Sequence, residues 1–545
     1  MKKIQIVILL LALCLYASAQ PPKHEVRAVW LTTIGGLDWP HRYSNNGNGT
    51  EAQQQELCNI LDRYKEAGIN TVLLQTRIRG TVIYPSIYEP WDGCLSGKPG
   101  VSPGYDALQF VIDECHQRGM EIHAWVVTMP VGKWNGKGCS QLRKRFPKLI
   151  KKIGDEGYMN PEDAQTASYL ASICEEITRN YDIDGIHLDY IRYPETWKLK
   201  VSKQQGRQHI TNIVRAIHDR VKQLKPWVKM SCSPIGKFSD LSRYWSHGWN
   251  AYDKGCQDAQ GWLRDGLMDE LFPMMYFKGD QFFPFAIDWA EHSYGKIVAP
   301  GLGIFFMAPR EGNWSLSTIT QEMEVLRQYG LGYAYFRGKF LTDDTKGIYG
   351  FTKRFCNTPS LIPPMTWANV SPPTSPITMK IQGNSLYWDG SINKSDAPYI
   401  LYNVYSSNQC PVDINDSRNL IASRLTNTQI HFSKSIEGKY FAVTAMDRYG
   451  NESEPLQSHQ PEKVQTTNAQ LLTCDGYQLE LPFKESVLDA DMVVIETLQG
   501  KMIALKPYQG KSANVSDVKE GFYVLKSLNK KGKTHRLGFF MIKRH

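Results

Sequence analysis

Asp184-Gly185-Ile186-His187-Leu188-Asp189-Tyr190-Ile191-Arg192-Tyr193-Pro194 is the stretch that decides the fold. Gly185–Asp189 is a short apolar run closed by a carboxylate, of the kind that forms a strand buried on both faces of a parallel sheet. The same unit recurs on either side of it. Strands are predicted at 26–33, 71–76, 121–127, 185–189, 229–233, 270–274, 297–302 and 332–335. Helical stripes fit between them. Leu57, Ile60, Leu61 and Tyr64 line a helix over 51–67 that Gly68 stops, and Leu108, Val111, Ile112 and Cys115 line one over 106–118 that Gly119 stops. Residues 161–181 and 203–224 read the same way. Eight strand–helix units predict an α/β chain folded as a (β/α)8 TIM-like barrel over residues 20–356. A doubly wound open sheet is the alternative, but no Gly-rich phosphate turn follows the first strand.

The rest of the chain is read against this barrel. Lys2 and Lys3, the apolar run Ile4–Leu15 and Ala17-Ser18-Ala19 predict a signal peptide over 1–19, hence export to the periplasm or cell surface. Cys14 sits in a weak lipobox, because Leu13 is large where a small residue is usual. Six prolines between Cys356 and Pro376 read as a stiff linker over 357–376. Short alternating strands follow. The Trp388 strand, the strand Tyr402-Asn403-Val404-Tyr405 and the stretch Val443–Ser453 resemble a fibronectin type III module over 377–462, a kind of module that usually serves as a spacer. Residues 463–545 form a second small all-β sandwich. Its strand Gly521–Lys526 and its last apolar strand, Leu537–Lys543, resemble the C-terminal tails of Bacteroidetes secreted proteins.

The composition excludes several classes. With 42% apolar and 21% charged residues the chain is neither disordered nor collagen-like. Its net charge of +9 is mild for 545 residues, and no nucleic-acid groove is read from it. The ten cysteines after Cys14 are dispersed without a CxxC, so neither a disulfide scaffold nor a zinc site is expected.

In (β/α)8 barrels chemistry gathers where strand C-termini meet the following loops. Asp189, with His187 and Arg192 beside it, reads as a carboxylate held ionised by neighbouring cations, a nucleophile or oxocarbenium stabiliser. The alternative is a structural Asp189–Arg192 ion pair. Arg77 and Arg79, after the second strand, suit hydroxyls or an acidic group. Glu89 beside Trp91 reads as the general acid, or as a loop glutamate near a packing tryptophan. His123 and Trp125 suit a sugar platform, or a core histidine. Tyr193, Asp258 with Trp262, and Tyr276 with Asp280 complete the binding candidates, although Asp258 also fits a helix N-cap. No metal site and no cofactor is expected. Two carboxylates with aromatic platforms are what glycoside hydrolysis needs, so the expected partner is a glycan. A carbohydrate-binding barrel with little turnover would use the same surface, whereas an adhesin using the β-modules would bind its partner through residues 370–545 without the barrel.

Glu25–Thr32, Tyr84-Pro85-Ser86, Glu89-Pro90-Trp91, His123-Ala124-Trp125 and Asp184–Tyr190 resemble, in order, the glycosyl hydrolase-like 10 family, once called DUF187. The resemblance covers about residues 25–350. It implies a barrel glycosidase distantly akin to α-amylases, with Asp189 at the nucleophile position. It also implies action on cell-wall glycan, namely peptide-free peptidoglycan strands; cell-envelope association is what the C-terminal β-domains imply. The chain departs from many relatives at Thr81, at Val127-Thr128-Met129-Pro130 and at Met275, and the strand-five acid of α-amylases is absent. These differences bear on substrate choice.

Overall fold

The computed structural model describes residues 21–242, 244, 248–459, 471–481, 492–498, 500–507, 512–528 and 533–544; the expected signal peptide and Cys14 lie outside them. All eight expected strands are present. They are β1 (Arg27–Leu31), β2 (Thr71–Arg77), β3 (Glu121–Val127), β4 (Gly185–Asp189), β5 (Lys229–Cys232), β6 (Glu270–Leu271 and Met274–Met275), β7 (Ile297–Val298 and Gly301–Leu302) and β8 (Tyr333–Tyr335). β6 and β7 are interrupted at Pro273 and Pro300, which have no N–H to give the ladder. The pieces still close the ring. Glu270–Leu271 pairs with β5 and with Ile297–Val298, while Met274–Met275 pairs with Gly301–Leu302, which pairs with β8, and β8 pairs with β1. All these pairs are parallel, so the chain is a (β/α)8 barrel.

Helices α1 (Gly49–Glu66), α2 (Ala107–Gln117), α3 (Ala164–Asn180), α4 (Lys203–Leu224), α5 (Ala259–Arg264), α6 (Phe283–Glu291), α7 (Leu316–Gln328) and α8 (Ile348–Phe355) follow the strands in turn. Their ends follow local chemistry. Asp106 and Asp163 accept from main-chain N–H groups at the starts of α2 and α3, and Ser202 with Gln205 forms a capping box on α4. Gly68 and Gly119 end α1 and α2 at φ +77° and +68°, where a side chain would be strained.

The period of two in the strands sorts the side chains into two layers. One set packs under the helices, for example Val29, Leu74, Ile122, Leu188 and Met230. The other fills the barrel axis: Val26, Ala28 and Trp30 of the first strand meet Leu73, Trp125, Phe272, Ala299 and Ala334. Cys115 and Cys174 lie wholly buried on their helix stripes, as small hydrophobes do.

Residues 378–457 form a sandwich whose two antiparallel sheets, of three and four strands, share a core of Leu386, Trp388, Val404, Phe441 and Val443. This module is no detached spacer. It belongs to the same compact unit as the barrel, Met1–His459. The Pro-rich segment leading to it is pinned: Glu25 N donates to Leu361 O at 2.9 Å, Met365 N to Tyr449 O at 2.7 Å, and Trp367 Nε1 to Asp269 Oδ1 at 2.8 Å. Two arginines of the sandwich enter the barrel floor, at the N-terminal ends of the strands. Arg424 binds Glu121 at 2.9 Å and Asp184 at 2.6 Å, and Arg448 binds Asp184 at 3.1 Å and Asp182 at 2.6 Å. Lys229 binds Glu121 at 2.8 Å beside them. These cations hold Glu121 at about 2 and Asp184 well below the usual carboxylate range, although burial opposes both shifts. The second unit, 460–545, has a four-stranded antiparallel sheet and a short two-stranded one around Leu479, Ile495, Val515, Leu525 and Phe540.

Removing one partner of a buried pair leaves an uncompensated charge. Arg424→Met takes one buried cation from both Glu121 and Asp184, which keep Lys229 and Arg448, and is therefore expected to cost about 3 kcal/mol in denaturant unfolding. A loss below about 1 kcal/mol would show that the floor does not depend on the module. A second test concerns Glu322 of α7, which is buried with neither oxygen hydrogen-bonded. Burial alone pushes its carboxyl up to about 9, from about 4.3 in an unfolded chain. Between those values the folded state keeps a proton that the unfolded state has lost, so this group's contribution to stability falls as pH rises across that window. Glu322→Gln should therefore raise the melting temperature, relative to the parent protein, more at pH 8 than at pH 5. An equal shift at both pH values would exclude the effect.

Candidate active site

Asp189 ends β4 on the axis side, 6% exposed. Alternation turns Trp125 of β3 and Ser233, just past β5, to the same axis side, and both bind it. Trp125 Nε1 donates to Oδ2 at 3.1 Å, and Ser233 Oγ donates to Oδ1 at 2.9 Å. A third donor comes from the turn. Tyr190 adopts φ 53°, a strained conformation for a tyrosine, and gives its N–H to Oδ1 at 2.8 Å.

Arg192 does not pair with Asp189. Its guanidinium binds Glu195 at 2.6 Å and lies 4.8 Å from the Tyr190 ring centroid and 5.7 Å from that of Trp249. The expectation of a carboxylate held ionised by adjacent cations is therefore corrected. Burial raises the Asp189 pKa, and Ser233, the Tyr190 N–H, the more distant charge of Arg192 and Trp125 only partly offset it.

An aromatic wall stands over this carboxylate. Tyr276 stacks on Phe336 at 5.3 Å, and Phe305 meets both edge-on at 5.6 and 5.7 Å. Burial, then the charges of Asp189 and Tyr190, push the Tyr276 hydroxyl well up, so it stays a neutral hydrogen-bonding group. One layer deeper lie the two histidines. His187 Nε2 accepts from Trp30 Nε1 at 3.2 Å, and its Nδ1 meets Ser231 Oγ at 3.1 Å. His123 Nδ1 also meets Ser231 Oγ, at 3.3 Å. Burial, reinforced by His123, keeps His187 neutral. Both histidines are fully buried beneath the mouth, so neither is part of an exposed sugar platform.

Glu89 is the main correction. Its side chain and that of Arg77 are both 0% exposed. Arg77 donates from Nε to Oε2 at 2.9 Å and from Nη2 to Oε1 at 2.7 Å, and Tyr169 OH donates to Oε1 at 3.1 Å. A carboxylate sealed in this way cannot protonate a leaving group, and Arg77 cannot reach a substrate. The pair instead stiffens the mouth. Arg77 Nη1 also donates to Val127 O and Thr128 O, and Thr128 donates from N and Oγ1 to the Asp189 carbonyl at 2.9 and 2.8 Å.

Other expectations fall for similar reasons. Asp258 caps α5 by accepting from Gly261 N at 3.2 Å, and Trp262 is buried with its Nε1 on Thr211 at 2.9 Å. Tyr193 is buried with its hydroxyl on His209 at 3.1 Å, and Trp91 packs against the layer under the helices. Arg79 and Asp280 remain exposed on mouth loops, Arg79 beside Glu156 at 3.4 Å. Tyr190, Ser233, Phe305 and Phe336 were missed. Counting by twos from Ser231, which pairs in register with His187, would have placed Ser233 opposite Asp189. Among the described residues, one side-chain group could converge on a cation, namely Asp288, Glu291 and His292. It sits at the C-terminus of α6, and Asp288 and His292 already pair at 3.1 Å.

A family model described as Glycosyl hydrolase-like 10 matches residues 25–205 and 197–305. The chain is 27% identical over 500 residues to "Glycosyl hydrolase YngK" of Bacillus subtilis (strain 168), spanning 80% of this chain and 93% of that one. It is 30% identical over 296 residues to "Glycosyl hydrolase DigH" of Escherichia coli (strain K12), spanning 48% and 67%. Among solved structures, α-L-fucosidase isoenzyme 2 from Paenibacillus thiaminolyticus superposes with a TM-score of 0.43 at 14% identity, covering 61% of this chain and 49% of that one.

Glu89→Gln keeps the shape but removes the charge that balances Arg77. It is expected to destabilise the fold by about 3–5 kcal/mol while leaving the pH profile of any activity in place. A lost pH limb without lost stability would return Glu89 to the chemistry.

Proposed function

We propose that this chain, which belongs to the glycosyl hydrolase-like 10 family and is a glycoside hydrolase, cleaves O-glycosidic bonds of a polysaccharide at the barrel mouth. Asp189 is the nucleophile, or the group that stabilises the oxocarbenium charge. One observation carries this: an unpaired, buried carboxylate held by three donors beneath an aromatic wall. Tyr190, Ser233 and Trp125 fix its direction, so little reorganisation is needed when positive charge develops above it. Burial strengthens its attraction for that charge, since the same separation is worth more in a low dielectric. The rings of Tyr276, Phe336 and Phe305 give a sugar an apolar surface.

The acid must come from another residue than Glu89. Asp240, Asp280 and Glu195 are the exposed carboxylates on the loops after β5, β6 and β4. Whichever serves, a separation from Asp189 of about 5–5.5 Å makes the enzyme retaining and one of about 6.5–9.5 Å makes it inverting. The substrate proposed is peptide-free peptidoglycan strands, consistent with export through the amino-terminal segment to the periplasm or cell surface. The sandwich over 377–462 is proposed to be fibronectin type III-like, and the C-terminal β-unit to provide envelope association. The sealing of Glu89 favours one other reading, a carbohydrate-binding barrel with little turnover.

Residues 20–545 and their Asp189→Asn variant, incubated with such strands and a panel of α- and β-linked polysaccharides, separate these readings by mass spectrometry. Oligosaccharide release should fall at least about 10²-fold in the variant. Equal release would remove Asp189 from the mechanism, and binding without release from either would leave the binding barrel.

A further inference from the structure

Between β3 and α3 the chain makes an excursion on the mouth face. It comprises a three-stranded antiparallel sheet (Pro130–Lys133, Ile150–Ile153 and Glu156–Met159) and a helix, Lys137–Arg145. Residues 137–152 hold seven Lys/Arg and no Asp/Glu. The mild net charge of the whole chain conceals this local excess. Among the described residues Lys151 of the seven forms an ion pair, with Glu162 at 3.8 Å, and Lys152 lies close enough to Asp155 to lower its pKa. Arg143 lies 3.9 Å from the Trp134 ring centroid and donates to Trp134 O, and Lys152 faces the same ring at 5.6 Å. Arg145 donates to Tyr88 O at 3.2 Å. Lys137, Lys144 and Lys148 are exposed. The helix dipole accounts for Arg143, Lys144 and Arg145 in a last turn, but not for Lys137, Lys148, Lys151 and Lys152. Unscreened like charges repel, so this density has a cost unless an anion meets it.

A pocket of about 450 Å³ adjoins the cations, lined by Ser86, Ile87, Glu89, Pro90, Lys144 and Arg145, with the Glu89 carboxylate itself turned inward onto Arg77. Ile87 stands 82% exposed at its edge. The excursion is tethered to the Asp189 site through its first strand. The excursion starts at Pro130, two residues after the Thr128 that holds the Asp189 carbonyl, and Arg79 reaches from the β2 loop to Glu156.

We propose that this excursion is a docking surface for an anionic polysaccharide, whose carboxylates pair with Lys144, Arg145, Lys148 and Lys152 while the same chain crosses to Asp189. The inference rests on the glycoside hydrolase reading and narrows its substrate class to polymers bearing acidic sugars. A single-stranded nucleic acid fits less well. It needs free aromatic faces for its bases, and Trp134 is engaged by Arg143 and Lys152.

Binding is measured on full-length Asp189→Asn protein, so that turnover plays no part. The probes are peptide-free peptidoglycan strands, the same strands with their carboxylates converted to neutral methylamides, and a single-stranded oligodeoxynucleotide of matched charge. The variants are Lys144→Glu/Arg145→Glu/Lys148→Glu/Lys152→Glu and, as a control on the sandwich, Lys380→Glu/Lys394→Glu. The excursion variant should bind native strands about tenfold or more weakly, as should the unmodified protein in high salt, with the control unchanged. Thermal melts confirm that both variants fold. Equal affinity for native and neutralised strands, an equal loss in the control, tighter binding of the oligodeoxynucleotide, or no binding of native strands would each overturn the proposal. Failure of the wild type to release products from any glycan would defeat the hydrolase reading alone and leave the binding result standing.

Discussion

Closing eight parallel strands into a ring leaves half of their side chains facing the axis, and every polar group sent there must find its partner inside. This constraint organises the molecule from floor to mouth. At the floor Glu121, Asp184 and Lys229 meet as a buried ionic set. In the middle His123 and His187 share the Ser231 hydroxyl through their Nδ1 atoms. At the mouth Asp189 takes up the donors of Trp125, Ser233 and Tyr190. The apolar cluster around Trp30 and Phe272 fills what remains. Polarity along the axis is thus graded: charges meet countercharge at the bottom and neutral hydrogen bonds at the centre, and at the top Asp189 forms no ion pair and feels only the more distant Arg192.

The floor explains why the sandwich and barrel form one body. Carboxylates at strand starts must be paired or pay heavily in desolvation, and the barrel supplies Lys229, His116 and His123 for Glu121 and Asp184. Arg424 and Arg448 complete the balance from outside the ring. A module that resembles a spacer by sequence is, in three dimensions, part of the barrel's electrostatic closure.

The fold was legible because short apolar runs and helix stripes stop at Gly68 and Gly119 for backbone reasons that are local. Asp189 was legible too, as a carboxylate at the end of an apolar strand. Glu89 was misread because its role depends on Arg77 and Tyr169, and the approach of Tyr169 is a tertiary fact with no trace in local pattern. Asp258 was ambiguous between cap and ligand, and the hydrogen bond from Gly261 N identifies it as a cap. The excursion over 137–152 shows the opposite failure: its charges were in plain view, but a whole-chain average diluted them.

The ionic floor has one more consequence. With Arg424 and Arg448 seated below and His187, Trp30 and Phe272 packed above them, the barrel axis has no through-passage. A long polymer cannot be threaded through the ring. It must lie across the mouth, and both ends of a cut chain leave by the face they entered.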